Sequence, residues 1–255
     1  MDDSGRLRYS RHLLLNEFGE DAQERLLAAR ALVVGAGGLG SPALMYLAAA
    51  GVGHITIVDG DRVDLTNLQR QVVHRTQSVG ESKVASAART LAQINPDVQV
   101  AALDERADAD RLSQLVRDAD VVLDCSDNFA TRHAINRACV AWRKPLVSGA
   151  GIRFDGQVAV FDLRRAEAPC YECLFPESGQ GEEERCATMG VFAPLVGVIG
   201  TLQAAEAIKL LAGVGESLDG RLQLFDAFAA RWHEVRFARD PGCRVCGIAH
   251  AAAAD

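Results

Sequence analysis

At 255 residues the chain is long enough to bury a substantial core, as one α/β domain or as one domain with an appendage. Its 34 acidic and 27 basic residues give a formal net charge of −7, a balance that argues against nucleic acid as the main partner. Residues 1–10 are polar and charged, unlike a signal peptide, and the most apolar run, 191–202, gives way to Gln203, Glu206 and Lys209 before it could cross a bilayer. A cytoplasmic protein with no membrane segment is the expectation.

The chain opens on a basic element, Arg6, Arg8 and Arg11 around Tyr9, followed by a helical stretch over 21–30 with Leu26 and Leu27 on its apolar side. A short apolar strand, 31–34, then runs into VVGAGGLG, where Gly35, Gly37 and Gly40 have G-x-G-x-x-G spacing and Gly38 adds a fourth glycine. Glycines at these points remove the Cβ atoms that would keep backbone N–H groups and a helix N-terminus away from a phosphate. Ser41 is the expected N-cap and Pro42 the first residue of a buried helix over 42–50. The next strand, 54–58, ends in Asp59, where a carboxylate meets a ribose in such folds.

Residues 59–71, DGDRVDLTNLQRQ, break both helical and strand periods and are too polar for a core. A helix over 81–94 carries Lys83 in its first turn and stops at Asn95-Pro96. Strand 98–103, helix 110–117 and strand 121–124 follow, the last running into Cys125-Ser126-Asp127-Asn128. Polar residues at the end of a buried parallel strand stand where open sheets place ligands. Helix 131–142 and strands 145–148 and 157–161 complete an alternation that predicts a Rossmann-like, mostly parallel α/β sheet with helices on both faces. Beyond it, 164–185 is aperiodic and reads as a mobile surface loop with an acidic run at 182–184. A long helix over 194–211, a strand pair at 221–225 and 231–237, and a frayed tail at 248–255 end the chain. The expected organisation is a single domain, nucleotide-binding over about 1–150, with a smaller C-terminal strand region over about 151–247.

Seven cysteines are present, among them two C-x-x-C knuckles, Cys170/Cys173 and Cys243/Cys246. In a cytoplasmic chain, four thiolates in paired spacing point to a structural zinc site with all positions filled by protein. A redox-active C-x-x-C is the alternative, weakened because there are two pairs and neither opens a helix after a strand. Cys125 and Cys139 sit in apolar elements and read as core.

The polar set Asp59, Asn67, Arg70 and Lys83, joined by Asp127 and its neighbour Asn128, carries more of the chemistry. A nicotinamide-dependent oxidoreductase is satisfied by the glycines and Asp59 and gains little from several cations beside the dinucleotide. A nucleoside triphosphate needs Arg and Lys to hold its charge and a carboxylate such as Asp127 to hold Mg²⁺. Singly, Arg70 or Lys83 reads as a solvated charge and Asp127 as a helix N-cap; together they favour phosphate chemistry.

Taken together, RYSRH, GAGGLG, DGDRVDLTNLQRQ, DCSDN, the cysteine knuckles and VGVIGTLQAAEAIKLL resemble the MoeB/ThiF family, bacterial relatives of ubiquitin-activating enzymes, from about Arg8 to Gly247. The resemblance implies a homodimer that uses ATP and Mg²⁺ to adenylate the C-terminal glycine of a small ubiquitin-fold sulfur-carrier protein ending in Gly-Gly, for molybdopterin or thiamine-thiazole sulfur transfer. It implies Asp59 on the ribose hydroxyls, Asn67, Arg70 and Lys83 on the triphosphate, Asp127 beside the α-phosphate and Mg²⁺, and Arg11 reaching the phosphates across the dimer. His12 departs from the glutamine more usual there. Cys186, next to Arg185, matches a position where some members carry out covalent or persulfide chemistry after adenylation; on the residues alone the reading as a non-essential loop cysteine is favoured. With no rhodanese-like extension in this sequence, an external sulfur donor such as a cysteine desulfurase or a rhodanese is implied. A non-catalytic, zinc-stabilised binding module for a ubiquitin-fold protein is the remaining alternative.

Overall fold

The computed structural model describes residues 1–179 and 189–247. An 8-stranded sheet in the order β3-β2-β1-β4-β5-β6-β7-β8 forms its centre. The parallel part comprises β1 (Arg30–Val34), β2 (His54–Val58), β3 (Gln99–Leu103), β4 (Val121–Asp124) and β5 (Leu146–Ile152). The antiparallel part adds β6 (Asp155–Phe161), β7 (Arg221–Asp226) and β8 (Arg231–Arg236). The strand order reverses between β1 and β4. Val34 pairs with both Val58 and Asp124, so Gly35, Asp59 and Cys125 emerge at one level of the same sheet edge.

Helices cover both faces, as the alternation of β1 requires. Ala31 and Val33 join one apolar cluster and Leu32 and Val34 the other. The first face is packed by α3 (Gly19–Ala28), α4 (Gly40–Ala50), α5 (Lys83–Ile94) and a long helix, α9 (Ala193–Ala212). On the second lie α6 (Ala109–Arg117), α7 (Phe129–Trp142) and the one-turn α8 (Tyr171–Leu174). Leu44 and Leu47 of α4 are fully buried, each contributing about 2 kcal/mol from transfer of its side chain out of water. Two short helices, α1 (Asp3–Arg8) and α2 (Ser10–Leu13), precede the sheet. Arg6 pairs with Glu20, Arg8 donates to the Ile94 carbonyl, and the Tyr9 hydroxyl accepts from Asn95 Nδ2 at 2.9 Å.

Helix α9 is long and apolar enough to span a bilayer by length and composition, yet Gln203 and Glu206 on it are buried against the rest of the protein. Gln203 is fully buried and donates to the carbonyls of Asp124 and Val147; Glu206 accepts the Leu218 N–H at 2.9 Å. Those bonds fix α9 to the active edge of the sheet and to the segment leading into β7.

Two local expectations change. Ser41 is not an N-cap: α4 begins at Gly40 with Leu39 at the cap position, and the Ser41 hydroxyl is buried without a partner. The N-terminal peptide groups of this helix are thus left uncapped by side chains. The stretch taken as a mobile surface loop is ordered in its first part, because Ala168, Cys170 and Tyr171 are buried and α8 follows. Cys170 is therefore the N-cap residue of a short helix, although that helix follows a loop rather than a strand.

Candidate functional site

The glycine turn is built by close approach. Gly35 has φ +100°, and a Cβ there would lie 2.6 Å from the Cys125 carbonyl oxygen. A Cβ on Gly40 would lie 2.0 Å from the carbonyl oxygen of Gly35 itself. Gly38 faces α9, where a Cβ would meet Val196 Cγ2 at 2.9 Å. Gly37 meets only Gln71 Nε2 at 3.6 Å, so protein packing does not demand glycine there and the open side of the turn is the side free for a ligand.

Asp59 ties this turn to the next loop. Its Oδ2 accepts the Ala36 N–H and its Oδ1 the Asp61 N–H, both at 2.8 Å. Beneath the turn, His74 is buried between the Ala36 carbonyl, 2.9 Å from Nε2, and Ser86 Oγ, 3.0 Å from Nδ1. A carbonyl only accepts, so Nε2 carries the proton and Nδ1 accepts from the serine hydroxyl. Burial holds the imidazole below its ordinary pKa and therefore neutral. Gln71 Oε1 is buried beside it without a partner.

Cations line the same edge. Asp64 caps the turn Leu65–Asn67, which places Asn67 Oδ1 2.8 Å from Arg70 Nη2, and Arg70 Cγ passes close to Gly38. Lys83, the first residue of α5, is 6 % exposed, and its ammonium donates to Asp61 Oδ2 at 2.8 Å. Arg106 reaches Asp61 Oδ1 at 2.9 Å. The hydrogen bond from Lys83 is the main cause that holds the Asp61 carboxyl below the usual carboxylate range. Asp61 lies in the polar loop noted from the sequence, but pairing across 22 residues left no periodic signal.

At the end of β4, Asn128 rather than Asp127 caps α7: its Oδ1 accepts the Thr131 N–H at 2.8 Å. Asp127 is exposed, and its carboxylate meets only Asn128 Nδ2, at 3.4 Å, among the described hydrogen bonds. It keeps acceptor capacity for a hard cation. A buried network fixes the loop below. Asp124 accepts from Ser126 Oγ at 2.6 Å and Ser148 Oγ at 2.8 Å; Arg132 donates to the carbonyls of Ser126 and Gly149 and lies 3.6 Å from Asp124 Oδ2. Sequence reasoning missed Asp124 and Arg132, which it placed only within strand 121–124 and helix 131–142. Cys125 and Cys139 are buried as expected, and burial raises both thiol pKa values.

The single chain does not bring every expected residue to this edge. Arg11 is exposed on α2, which packs against α1 and α3, and no ion pair of it is described. His12 bonds Gln23 Oε1 at 2.9 Å. Cys186 and the acidic run 182–184 lie outside the described residues.

The two cysteine knuckles do converge. The sulfurs of Cys170, Cys173, Cys243 and Cys246 all lie within 4.8 Å of one another, with edges of 3.9, 3.7 and 3.4 Å. Tetrahedral zinc with about 2.3 Å bonds requires edges of about 3.8 Å. Donors surround the sulfurs as thiolates require: the Asp240 and Val245 N–H groups reach Cys173 and Cys243 at 3.4 Å, and Asn136 Nδ2 reaches Cys170 at 3.6 Å. The set fits a closed structural zinc site against α7. Glu172, between the first two cysteines, lies 3.1 Å from His133 of the same helix, both buried.

An apolar surface remains outside these clusters. Phe154, Phe192 and Phe228 are exposed, and the Phe154 ring contacts each of the other two. On α9, Gly197, Val198, Thr201, Leu202 and Ala205 form a groove with Trp232 of β8.

Comparisons with known proteins agree along the length of the chain. The family model of the ThiF family matches residues 9–245. The chain is 46% identical over 247 residues to the molybdopterin-synthase adenylyltransferase of Escherichia coli (strain K12), covering 97% of this chain and 98% of that protein. It is 46% identical over 251 residues to the sulfur carrier protein ThiS adenylyltransferase of the same strain, covering 98% and 99%. Among solved structures, E. coli MccB with ATP superposes with a TM-score of 0.83 at 27% identity, over 94% of this chain and 73% of that chain.

Proposed function

The chain belongs to the ThiF family, and from that premise we propose how its own residues divide the work. It is an ATP-dependent adenylyltransferase acting on a sulfur carrier protein, with the molybdopterin-synthase type favoured. The observation that carries the assignment of the site is the convergence of the glycine turn, Asp59, Arg70, Lys83 and a carboxylate, Asp127, left free by its neighbour's cap, at one edge of the sheet.

In this reading the open side of the glycine turn receives the phosphates, and Asp59 holds the ribose with the acceptor capacity left by its two backbone bonds. Asn67 and Arg70, locked together, and Lys83 neutralise the triphosphate. Asp127, with Asn128 beside it, holds Mg²⁺, which supplies charge neutralisation at the phosphoryl oxygens. The carrier's terminal carboxylate is ionised at neutral pH and needs no general base. One of its oxygens forms a bond to the α-phosphorus, the bond from that phosphorus to the bridging oxygen breaks, and pyrophosphate leaves with the electron pair. Alignment of two anions and stabilisation of the departing charge are what the cations contribute.

The oxidoreductase and binding-module alternatives leave Arg70, Lys83 and Asp127 without a task. Zinc, held by Cys170, Cys173, Cys243 and Cys246, is structural in this reading and ties the last strands to α7. A homodimer is supported by the unfilled groove on α9 and by Arg11, which points to no described partner and is free to reach the phosphates of a second protomer. A cytoplasmic location suits a carrier that must be activated by ATP. The carrier ends in Gly-Gly, a separate protein such as a cysteine desulfurase or rhodanese supplies the sulfur, and Cys186 acts, if at all, after adenylation.

Carrier-dependent exchange of labelled pyrophosphate into ATP tests the reading, assayed with the molybdopterin-synthase small subunit and the thiazole sulfur carrier separately. Exchange with either supports it; none with any Gly-Gly carrier overturns it. Preferential thermal stabilisation by NAD over Mg-ATP would restore the oxidoreductase.

A further inference from the structure

Lys83 is held from two directions by one residue. Its backbone N–H donates to the Asp61 carbonyl at 3.0 Å and its ammonium to the Asp61 carboxylate at 2.8 Å. Around this pair Arg62 and Ser82 form an antiparallel bridge, and Val63 donates to the Glu81 carbonyl at 2.8 Å, so the segment before α5 and the segment after β2 run as a short ladder. Asp61 is fixed in turn by Asp59, which accepts its N–H. A continuous line of bonds therefore runs from the Ala36 N–H of the glycine turn through Asp59 and Asp61 to the Lys83 ammonium.

The Lys83 side chain is 7 % exposed, and Asp61 is its only described counter-ion. A cation that far from water needs a partner or it moves. With one of three ammonium donors committed to Asp61, the other two keep a fixed direction. Arg106 shares the same carboxylate but is 84 % exposed, so solvent and salt can replace Asp61 for it in a way they cannot for Lys83.

We propose that Asp61 is a positioning residue of the adenylation site, acting through Lys83: its carboxylate aims the lysine ammonium at the triphosphate while touching no substrate atom. The proposal rests on the assignment of Lys83 to the phosphates. It has a direction that a purely stabilising role lacks. Asp61 is an anion near a triphosphate, so removing its charge leaves the ground-state attraction for ATP intact or stronger and costs the alignment used in the transition state.

The test is a double-mutant cycle of Asp61→Asn and Lys83→Ala, read in pyrophosphate exchange and in Mg-ATP binding by calorimetry. Asp61→Asn alone is expected to lower kcat at least tenfold while Kd for Mg-ATP stays within threefold of the parent or tightens. In the Lys83→Ala background the same change is expected to cost less than twofold. Equal losses in both backgrounds would overturn the proposal, because Asp61 would then act on the nucleotide or another group directly. So would Arg106→Ala matching the Asp61→Asn loss, which transfers the role to Arg106. If Asp61→Asn does not fold, Asp61→Glu, which keeps the charge but moves it by one methylene, takes its place and must again be non-additive with Lys83→Ala. A parent protein without exchange activity would sink the functional assignment alone; the cycle is then decided by Mg-ATP affinity, where a changed effect of the Asp61 variant on removing Lys83 supports the coupling and strict additivity overturns it.

Discussion

Gly40 faces Gly35 across a gap that no side chain fits: a Cβ on the first residue of α4 would stand 2.0 Å from the Gly35 carbonyl oxygen, just past the first strand. Turn and helix touch here through bare backbone. Gly40→Ala is expected to destabilise the fold by about 1–3 kcal/mol, the usual cost of overpacking, and to weaken Mg-ATP binding at least tenfold. Gly37→Ala meets no clash in the protein. Its expected signature is weaker binding at an unchanged melting temperature, measured by calorimetry and thermal denaturation.

Asp127 and Asn128 are adjacent and separable. Asn128→Ala removes a helix cap and is expected to cost about 1 kcal/mol of stability. Asp127→Asn removes no described structural bond beyond the 3.4 Å contact with its neighbour. Its melting temperature should stay that of the parent while pyrophosphate exchange falls about 10²-fold or more. A large drop in melting temperature for Asp127→Asn would mean that the carboxylate serves the fold.

A zinc chelator is expected to release one metal per chain and to lower the melting temperature, and Cys243→Ser should do the same without added chelator. Metal analysis with differential scanning calorimetry reads both. Equal melting of the metal-free and parent proteins would refute a structural site.

His74 gives a pH signature with a defined sign. Its folded pKa lies below the ordinary value near 6.5 because burial disfavours the imidazolium. The unfolded chain therefore takes up the proton first. Stability is fully present above about 6.5 and declines as pH falls below it, toward the folded pKa, by at most about 1.4 kcal/mol per pH unit for one proton. Urea denaturation between pH 7.5 and 5.5 should show this slope, and His74→Gln should flatten it.

The sheet was legible because each strand carries its own signal. The apolar runs at 31–34, 54–58 and 121–124 match β1, β2 and β4 within a residue. So was the cysteine cluster, since thiol pairs declare themselves by type and spacing. What escaped was set by tertiary partners. Asp61 finds Lys83 across 22 residues and Gln203 finds the Asp124 carbonyl across 79; nothing in local sequence marks either. Arg132 carries no mark in the sequence beyond its place in a helix, and only the tertiary fold reveals a buried cation bonded to two carbonyls. Ser41 failed for the opposite reason: its local signal was a good cap signature, but the glycine turn starts α4 two residues earlier and draws the serine inside.

The proposed zinc site bears on the order of events as the chain is made. Cys170 and Cys173 leave the ribosome long before their partners, because Cys243 follows Cys170 by 73 positions and Cys246 follows Cys173 by the same interval. Closing a loop of that length by a cross-link is worth about 4 kcal/mol of unfolded-state entropy, and that gain arrives only when the last knuckle does. All of α9, β7 and β8 lie inside the loop. Metal capture at these cysteines would thus be a late maturation step. It certifies that synthesis has passed Cys246, and a polypeptide cut short of that residue retains the glycine turn but not the fastening of its final strands.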